Sequence, residues 1–144
     1  MNRHATAIAL GTLGVLIEGP SGSGKSSLAL AAIEHISSKG LFAALVADDQ
    51  CLIEIANNLV IASCPPQLTG FVEMRGLGIV KHPNTNSSVI DIVIRLVEHN
   101  EMERIPEART VAIAGVQLPV FQLPARQIAM SLPLLCHILE SRRV

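Results

Sequence analysis

The stretch Gly19-Pro20-Ser21-Gly22-Ser23-Gly24-Lys25-Ser26 follows the pattern G-x-x-x-x-G-K-S/T without a mismatch. In such a loop successive backbone N–H groups turn inward as a nest for phosphate oxygens, and the positive end of a following helix adds to their field. Lys25 would reach the β- and γ-phosphates of a nucleotide, and the Ser26 hydroxyl would join the shell of a bridging Mg²⁺. The bland alternative is a glycine-rich turn with a solvated lysine. A second reactive group is Asp48-Asp49, which closes an aliphatic run. Carboxylates at a strand end meet the ligand crevice of an open α/β sheet, where they can face Mg²⁺ or a nucleophile. Two like charges so close also dispose one of them to take up a proton and act as a base. Further along, Glu73 and Arg75 alternate with apolar residues ahead of Gly76 and Gly78, a spacing that equally describes a surface strand with an ion pair. His4, by pattern alone, reads as a solvated histidine near a terminus.

These side chains need elements to hold them. Gly14-Val15-Leu16-Ile17-Glu18 reads as a strand entering the loop, and residues 25–36 as the helix leaving it, with Leu28, Ala32, Ile33 and Ile36 at helical spacing. Lys39 and Gly40 suit the negative end and the left-handed cap of that helix. Residues 4–10 and 13–18 form a hairpin across Gly11-Thr12, and residues 41–46 form a buried strand that delivers Asp48. A second hairpin joins 50–55 to 59–62 around Ala56-Asn57-Asn58. Residues 82–88 read as a polar mobile loop, and 89–97 as one nearly buried strand with Ile90, Ile92, Ile94 and Leu96 on one side and Asp91 and Arg95 on the other. Residues 109–114 and 116–123 pair across Gly115. Residues 125–139 read helical, with Ile128, Leu132, Leu135 and Leu139 at core spacing and Pro133 imposing a kink or a division into two helices; residues 140–144 should fray. So many hairpins predict an α/β protein with a mixed β-sheet and flanking helices, not a doubly wound parallel sheet.

Composition narrows the function classes. A chain of 144 residues is about one domain long, so 1–144 is read as a single catalytic domain. With 49% apolar residues, no Trp or Tyr and only Phe42, Phe71 and Phe121, its core must be built from Leu, Ile, Val and Ala. A net charge of −1 without a basic block, and without aromatic platforms, argues against nucleic acid as a partner. Cys51, Cys64 and Cys136 have no zinc or redox spacing and read as buried small hydrophobes of a reducing compartment. The longest apolar run falls short of the roughly 18 to 20 residues that cross a bilayer, so no membrane role is expected. Residues 1–10 resemble a weak signal peptide, but cleavage there would cut into the first sheet, which leaves a cytoplasmic protein as the expectation.

With these residues in place, the chain resembles the catalytic domain of HPr kinase/phosphorylase, and most closely the short bacterial forms that lack a regulatory N-terminal domain. Arg3-His4-Ala5-Thr6-Ala7, the phosphate-binding loop, Leu45-Val46-Ala47-Asp48-Asp49 and Val72-Glu73-Met74-Arg75-Gly76-Leu77-Gly78-Ile79 carry the resemblance, in the family's order and over roughly residues 3–124. The last is the most specific, since E-I-R-G-L-G-I is a family signature that differs here only at Met74. The resemblance implies a P-loop kinase fold of the HPr kinase/PEP carboxykinase-like type. It also implies an activity: ATP-dependent phosphorylation, with Mg²⁺, of a serine on an HPr-type phosphocarrier protein of the sugar-transport or nitrogen-related phosphotransferase system. Reversal by phosphorolysis to pyrophosphate belongs to the family as well, as does assembly into a homo-oligomer, usually a hexamer.

By position, Asp48 is similar to the family's general base and His4 to the histidine near that aspartate and the phosphate. Lys25 and Ser26 keep the roles derived above, Glu73 is similar to an additional Mg²⁺-directed carboxylate, with Asp49 beside it as a further metal-facing group, and Arg75 shares the signature strand. Through Arg104-Ile105-Pro106, Arg104 aligns with the family's catalytic arginine, which stabilises charge on the transferring phosphoryl group. Three departures stand out: Ser27 replaces an acidic residue common after the loop's serine, residues 35–44 are several residues longer, and Gln117-Leu118-Pro119-Val120-Phe121-Gln122 replaces the Pro-, Val-, Arg- and Gly-rich segment tied to dephosphorylation. The expectation is a kinase whose phosphorylase activity is weak or absent. A P-loop small-molecule kinase is the first rival, though the chain has no Arg-rich lid. A nucleotide-binding regulatory module without turnover is the second.

Overall fold

The computed structural model describes residues 1–74 and 76–142. In chain order its strands are β1 (Asn2–Arg3), β2 (Thr6–Leu10) and β3 (Leu13–Glu18); helix α1 (Lys25–Ser38) follows the glycine-rich loop. Then come β4 (Ala43–Ala47), β5 (Cys51–Ala56), β6 (Leu59–Ser63), β7 (Phe71–Met74), β8 (Gly78–Lys81), β9 (Ser87–Ile90) and β10 (Ile92–Val97). A last hairpin, β11 (Arg109–Ile113) and β12 (Val116–Pro124), leads into α2 (Ile128–Arg142).

The mixed sheet expected from the hairpin count is present: six strands in the order β11-β12-β10-β3-β2-β4. β12, β10 and β3 run parallel, and the remaining pairs are antiparallel. A smaller antiparallel sheet has the order β1-β5-β6-β9, and among the described residues β7 pairs only with β8. Strand alternation explains the layering. Ile8, Leu10, Val15, Ile17, Ile92, Ile94 and Leu96 point to one face of the large sheet, where Leu28, Ala32, Ile33 and Ile36 of α1 and Leu135 and Leu139 of α2 cover them. Both flanking helices therefore lie on that one face. The opposite face presents smaller side chains, Ala7, Ala9 and Ala47 with Leu16 and Val93, and these let the second sheet pack down through Cys51, Ile53, Val60, Ala62 and Ile90. An aliphatic chain without Trp or Tyr thus fills two core layers, a large-residue one under helices and an alanine-rich one between sheets.

The structure corrects several expected boundaries. The strand expected over 89–97 is two strands in different sheets, β9 and β10, and the crossing is at Asp91. There Asp91 donates its backbone N–H to the Gly14 carbonyl at 2.8 Å and accepts the Gly14 N–H on Oδ2 at 2.8 Å. A Cβ on Gly14 would lie 1.8 Å from the Val89 carbonyl oxygen, so only glycine allows this crossing. Periodicity alone missed it because Ile90 and Ile92 are both buried, one in each core layer. The signature stretch is a hairpin, β7–β8, and not one strand, with its turn at Gly76 and Leu77. α2 continues as one helix through Pro133, where two short helices were an expected alternative; Ile128 is exposed, and Ser131, Leu135 and Leu139 form its buried face. The Asn57-Asn58 turn is as read, with φ of 51° and 60°, the left-handed pair that a two-residue hairpin demands. Of the cysteines, only Cys51 is fully buried, and burial pushes its thiol up to about 11; Cys64 and Cys136 are half-buried, with thiols raised by the same cause. Among the described residues, no helix is long and apolar enough to cross a membrane.

Candidate active site

The chemistry-bearing residues meet at one end of the large sheet. β3 and β4 both finish there, β2 begins there, and α1 starts there, so a chain reversal at each of these termini places a polar group at one spot. The glycine-rich loop turns through Gly22 and Gly24 in left-handed conformations, φ 79° and 94°, which side chains resist. Ser23 N–H donates to the Pro20 carbonyl at 3.1 Å, closing the loop on itself. Lys25 opens α1 and is 6% exposed; its ammonium donates to the Gly19 carbonyl at 2.9 Å and the Pro20 carbonyl at 3.3 Å and lies 3.8 Å from Asp49 Oδ1.

The Asp48-Asp49 pair follows directly from β4. Asp48 Oδ1 accepts two hydrogen bonds, from Ser26 Oγ at 2.6 Å and from Thr6 Oγ1 at 3.1 Å. Its other carboxylate oxygen has no partner among the described hydrogen bonds. Asp49 holds a φ of 65°, donates its N–H to Thr6 Oγ1 at 3.2 Å, and sets Oδ1 2.5 Å from His4 Nε2. His4 is flanked in sequence by two anchored residues: Arg3 pairs with Glu18 at 2.5 Å, and Thr6 is bonded to Asp48 and to the Asp49 N–H. The segment 3–6 is thereby tied to the strand that feeds the loop and to the turn that carries both aspartates.

A cleft of about 470 Å³ runs along these groups, lined among others by Lys25, Ser26, Asp48, Asp49, Glu73 and Arg126. The groups on its wall that could ligate a cation, the hydroxyls of Ser21, Ser26 and Ser27 and the carboxylates of Asp48, Asp49 and Glu73, are all oxygen, the chemistry of a hard divalent cation. Among the described residues no three His, Cys, Asp or Glu side chains gather closely enough to cage a metal.

The structure therefore brings together Lys25, Ser26, Asp48, Asp49 and Glu73 in one cleft, with His4 on Asp49. Arg104 stands exposed on the connection between β10 and β11 and does not line the cleft. Arg75 lies outside the described residues, as do residues 143 and 144, part of the stretch expected to fray. Among the described residues the arginine that lines the cleft is Arg126, which sequence reading passed over. Its N–H donates to the Ser23 carbonyl at 2.9 Å, and its guanidinium pairs with Glu98. Its signal was topological: β12 is parallel to β10 and β10 to β3, so the residues after β12 emerge beside the residues after β3.

Comparison with known proteins bears on this geometry. Residues 1–136 match the family model described as the HPr Serine kinase C-terminal domain. Curated relatives include the HPr kinase/phosphorylase of Prosthecochloris aestuarii, 34% identical over 133 residues, and that of Malacoplasma penetrans, 32% identical over 133 residues. Each alignment covers 84% of this chain but only 37% and 42% of the respective relative, so the chain spans about two fifths of their length. Among solved structures, the Hpr(Ser) kinase/phosphatase from Coxiella burnetii superimposes with a TM-score of 0.81 at 29% identity, covering 98% of this chain and 88% of that one. The mixed α/β architecture is accordingly that of a P-loop kinase-like fold, and the chain belongs to the HPr serine kinase C-terminal domain family.

Proposed function

We propose that this domain is an ATP-dependent protein-serine kinase acting on an HPr-type phosphocarrier. One observation carries the reading: Asp48 Oδ1 is engaged by Ser26 and Thr6 while its second oxygen has no partner among the described residues, beside the lysine and serine of the phosphate loop. A serine hydroxyl is a poor nucleophile, and phosphoryl transfer is mostly positioning plus charge neutralisation. The unengaged Asp48 oxygen would accept the seryl proton. Lys25 would exchange its carbonyl partners for phosphate oxygens, and the loop's N–H groups from Gly19 to Ser26 would cradle the rest. Ser26, Asp49 and Glu73 would hold Mg²⁺, which when bound neutralises charge on the transferring group. His4 orients Asp49, and Arg126 takes the cationic position facing the cleft that the resemblance assigned to Arg104.

The direction of reaction follows from the same chain. Residues 117–122, which replace the segment associated with dephosphorylation, all lie within β12. We infer that phosphorolysis is weak or absent; release of pyrophosphate from the serine-phosphorylated carrier at millimolar phosphate would overturn that. A homo-oligomer in the cytoplasm is the setting that the family resemblance supports.

The test is incubation of a purified HPr-type carrier with this protein and Mg-ATP, read by intact mass, beside Lys25→Ala and Asp48→Asn. A gain of one phosphoryl group on serine, lost in both variants, is the expected result. Nucleotide binding without any gain on the carrier would favour a regulatory module, and phosphorylation of small metabolites instead would favour a small-molecule kinase.

A further inference from the structure

Thr6 is the first residue of β2, and its side chain is 0% exposed. A buried hydroxyl is retained at a cost unless it is used, and this one is used twice. It donates to Asp48 Oδ1 at 3.1 Å and accepts the Asp49 N–H at 3.2 Å. Its partners are therefore the carboxylate that the proposed reaction needs as a base and the backbone of the next residue. That next residue is in a left-handed conformation, φ 65°, which costs a non-glycine residue free energy and persists only where the surroundings hold it. Asp49 is exposed, so its own packing does little to hold it.

The two bonds act on different degrees of freedom. The bond to Asp48 Oδ1, added to that from Ser26 Oγ at 2.6 Å, gives one carboxylate oxygen two fixed donors and so settles the rotation of the carboxylate, leaving the second oxygen for a substrate. The bond from the Asp49 N–H settles the turn and so the direction in which the Asp49 side chain leaves the backbone. Ser26 belongs to the phosphate loop and Thr6 to the neighbouring strand, paired with Ile17 of β3. Asp48 is thus triangulated from two elements that are themselves in register.

We propose that Thr6 is the positioning residue of this site: one hydroxyl that orients the Asp48 carboxylate and locks the left-handed Asp49 turn, without itself touching substrate. Its catalytic consequence rests on the kinase reading above, whereas its structural part does not. The variant Thr6→Val keeps the β-branched shape and removes only the hydroxyl, and Thr6→Ser keeps the hydroxyl.

Amide hydrogen exchange, resolved to Asp49 by NMR, is the first measurement. In the unaltered protein the Asp49 amide should exchange at least tenfold more slowly than the same amide in an unstructured peptide spanning residues 46–52; the Gln50 N–H, bonded to the Asp48 carbonyl at 2.8 Å, is not used as the reference. It should lose that protection in Thr6→Val and regain it in Thr6→Ser. An unprotected Asp49 amide in the unaltered protein overturns the proposal whether or not the variant folds. Equal protection in unaltered protein and Thr6→Val overturns it as well.

Carrier phosphorylation is the second measurement. Thr6→Val should lower kcat by about 10- to 100-fold, the scale of a misplaced catalytic group, with the KM for ATP unchanged, and Thr6→Ser should restore it. A valine variant with unaltered kcat, or one whose loss lies in KM for ATP, sinks the positioning role. If the unaltered protein phosphorylates no carrier, the kinase reading fails, and the exchange data alone decide whether Thr6 locks the turn.

Discussion

Asp48 and Glu73 line the same cleft, yet different parts of the fold carry them. Asp48 follows β4, where Ala44, Leu45, Val46 and Ala47 are all buried, and its carboxylate is bonded to Thr6 and Ser26 from two further elements. Glu73 lies in the middle of β7, exposed, on a two-stranded ladder joined to neither of the larger sheets. That hairpin touches the body of the protein through Val72, 1% exposed, with Met74 and Val80 packed beside it at the edge of the helical core. The difference teaches which task needs which support. A base must sit within hydrogen-bond reach of one proton, so it is anchored at the end of a buried strand and bonded from two further elements. A carboxylate directed at a cation shares its task with phosphate oxygens and water, and a less stable element suffices.

Substituting each carboxylate by its amide is the sharpest way to break this contrast. Asp48→Asn removes the proton acceptor and should lower kcat for carrier phosphorylation by about 10³-fold, within the range for a general base. Lys25→Ala should act on a similar scale through lost charge neutralisation. Glu73→Gln should cost about 10- to 30-fold, recovered in part at raised Mg²⁺, because the cation keeps its other ligands. Initial rates at varied Mg²⁺ read both. Equal losses for Asp48→Asn and Glu73→Gln, without recovery by Mg²⁺, would erase the distinction between the two carboxylates.

The same contrast decided how much could be read from sequence. The anchored corner is local in the chain: strand, glycine-rich loop and helix are consecutive, and an aliphatic run ending in Asp48 is legible without its neighbours. The hairpins around Gly11, Asn57-Asn58 and Gly115 were legible for the same reason, since turn chemistry is local. What escaped depends on contacts distant in sequence. The break between β9 and β10 is made by Gly14, and Asp91 reads as an ordinary outward residue until that partner is known. Arg126 reaches the cleft only because β12 is parallel to β10. Thr6 lies in the 4–10 run that reads as a strand and draws no separate reading there, because its role exists only once β4 lies beside β2.

Val72 is the place to loosen the hairpin without touching Glu73. Val72→Ala removes methyl groups from a fully buried site and should cost about 2 kcal/mol, counting transfer and cavity together. Because β7 pairs only with β8, most of that loss should be local. Amide exchange in β7 and β8 should accelerate more than in β2 or β4, and kcat should move toward the value for Glu73→Gln. Uniform acceleration through both core layers would show that the hairpin unfolds only with the rest.

Leu77 offers the smallest effect and the cleanest check on the hairpin's independence. It sits in the turn between β7 and β8, is 74% exposed, and donates its N–H to the Met74 carbonyl at 2.9 Å. Gly76 and Gly78 on either side take φ of 95° and 88°, so the glycines, and not the leucine side chain, set the path of the turn. Leu77→Ser keeps the backbone bond and removes an apolar side chain that is already in water. Surface changes of this kind stay within about 0.5 kcal/mol, which for a chain of this size is a thermal midpoint shift of about 1 to 2 °C. The KM for ATP should not move, because the phosphate loop lies on other elements. A fall of many degrees would mean that Leu77 buries itself against something the isolated chain lacks, and the hairpin would then be anchored as firmly as the corner that holds Asp48.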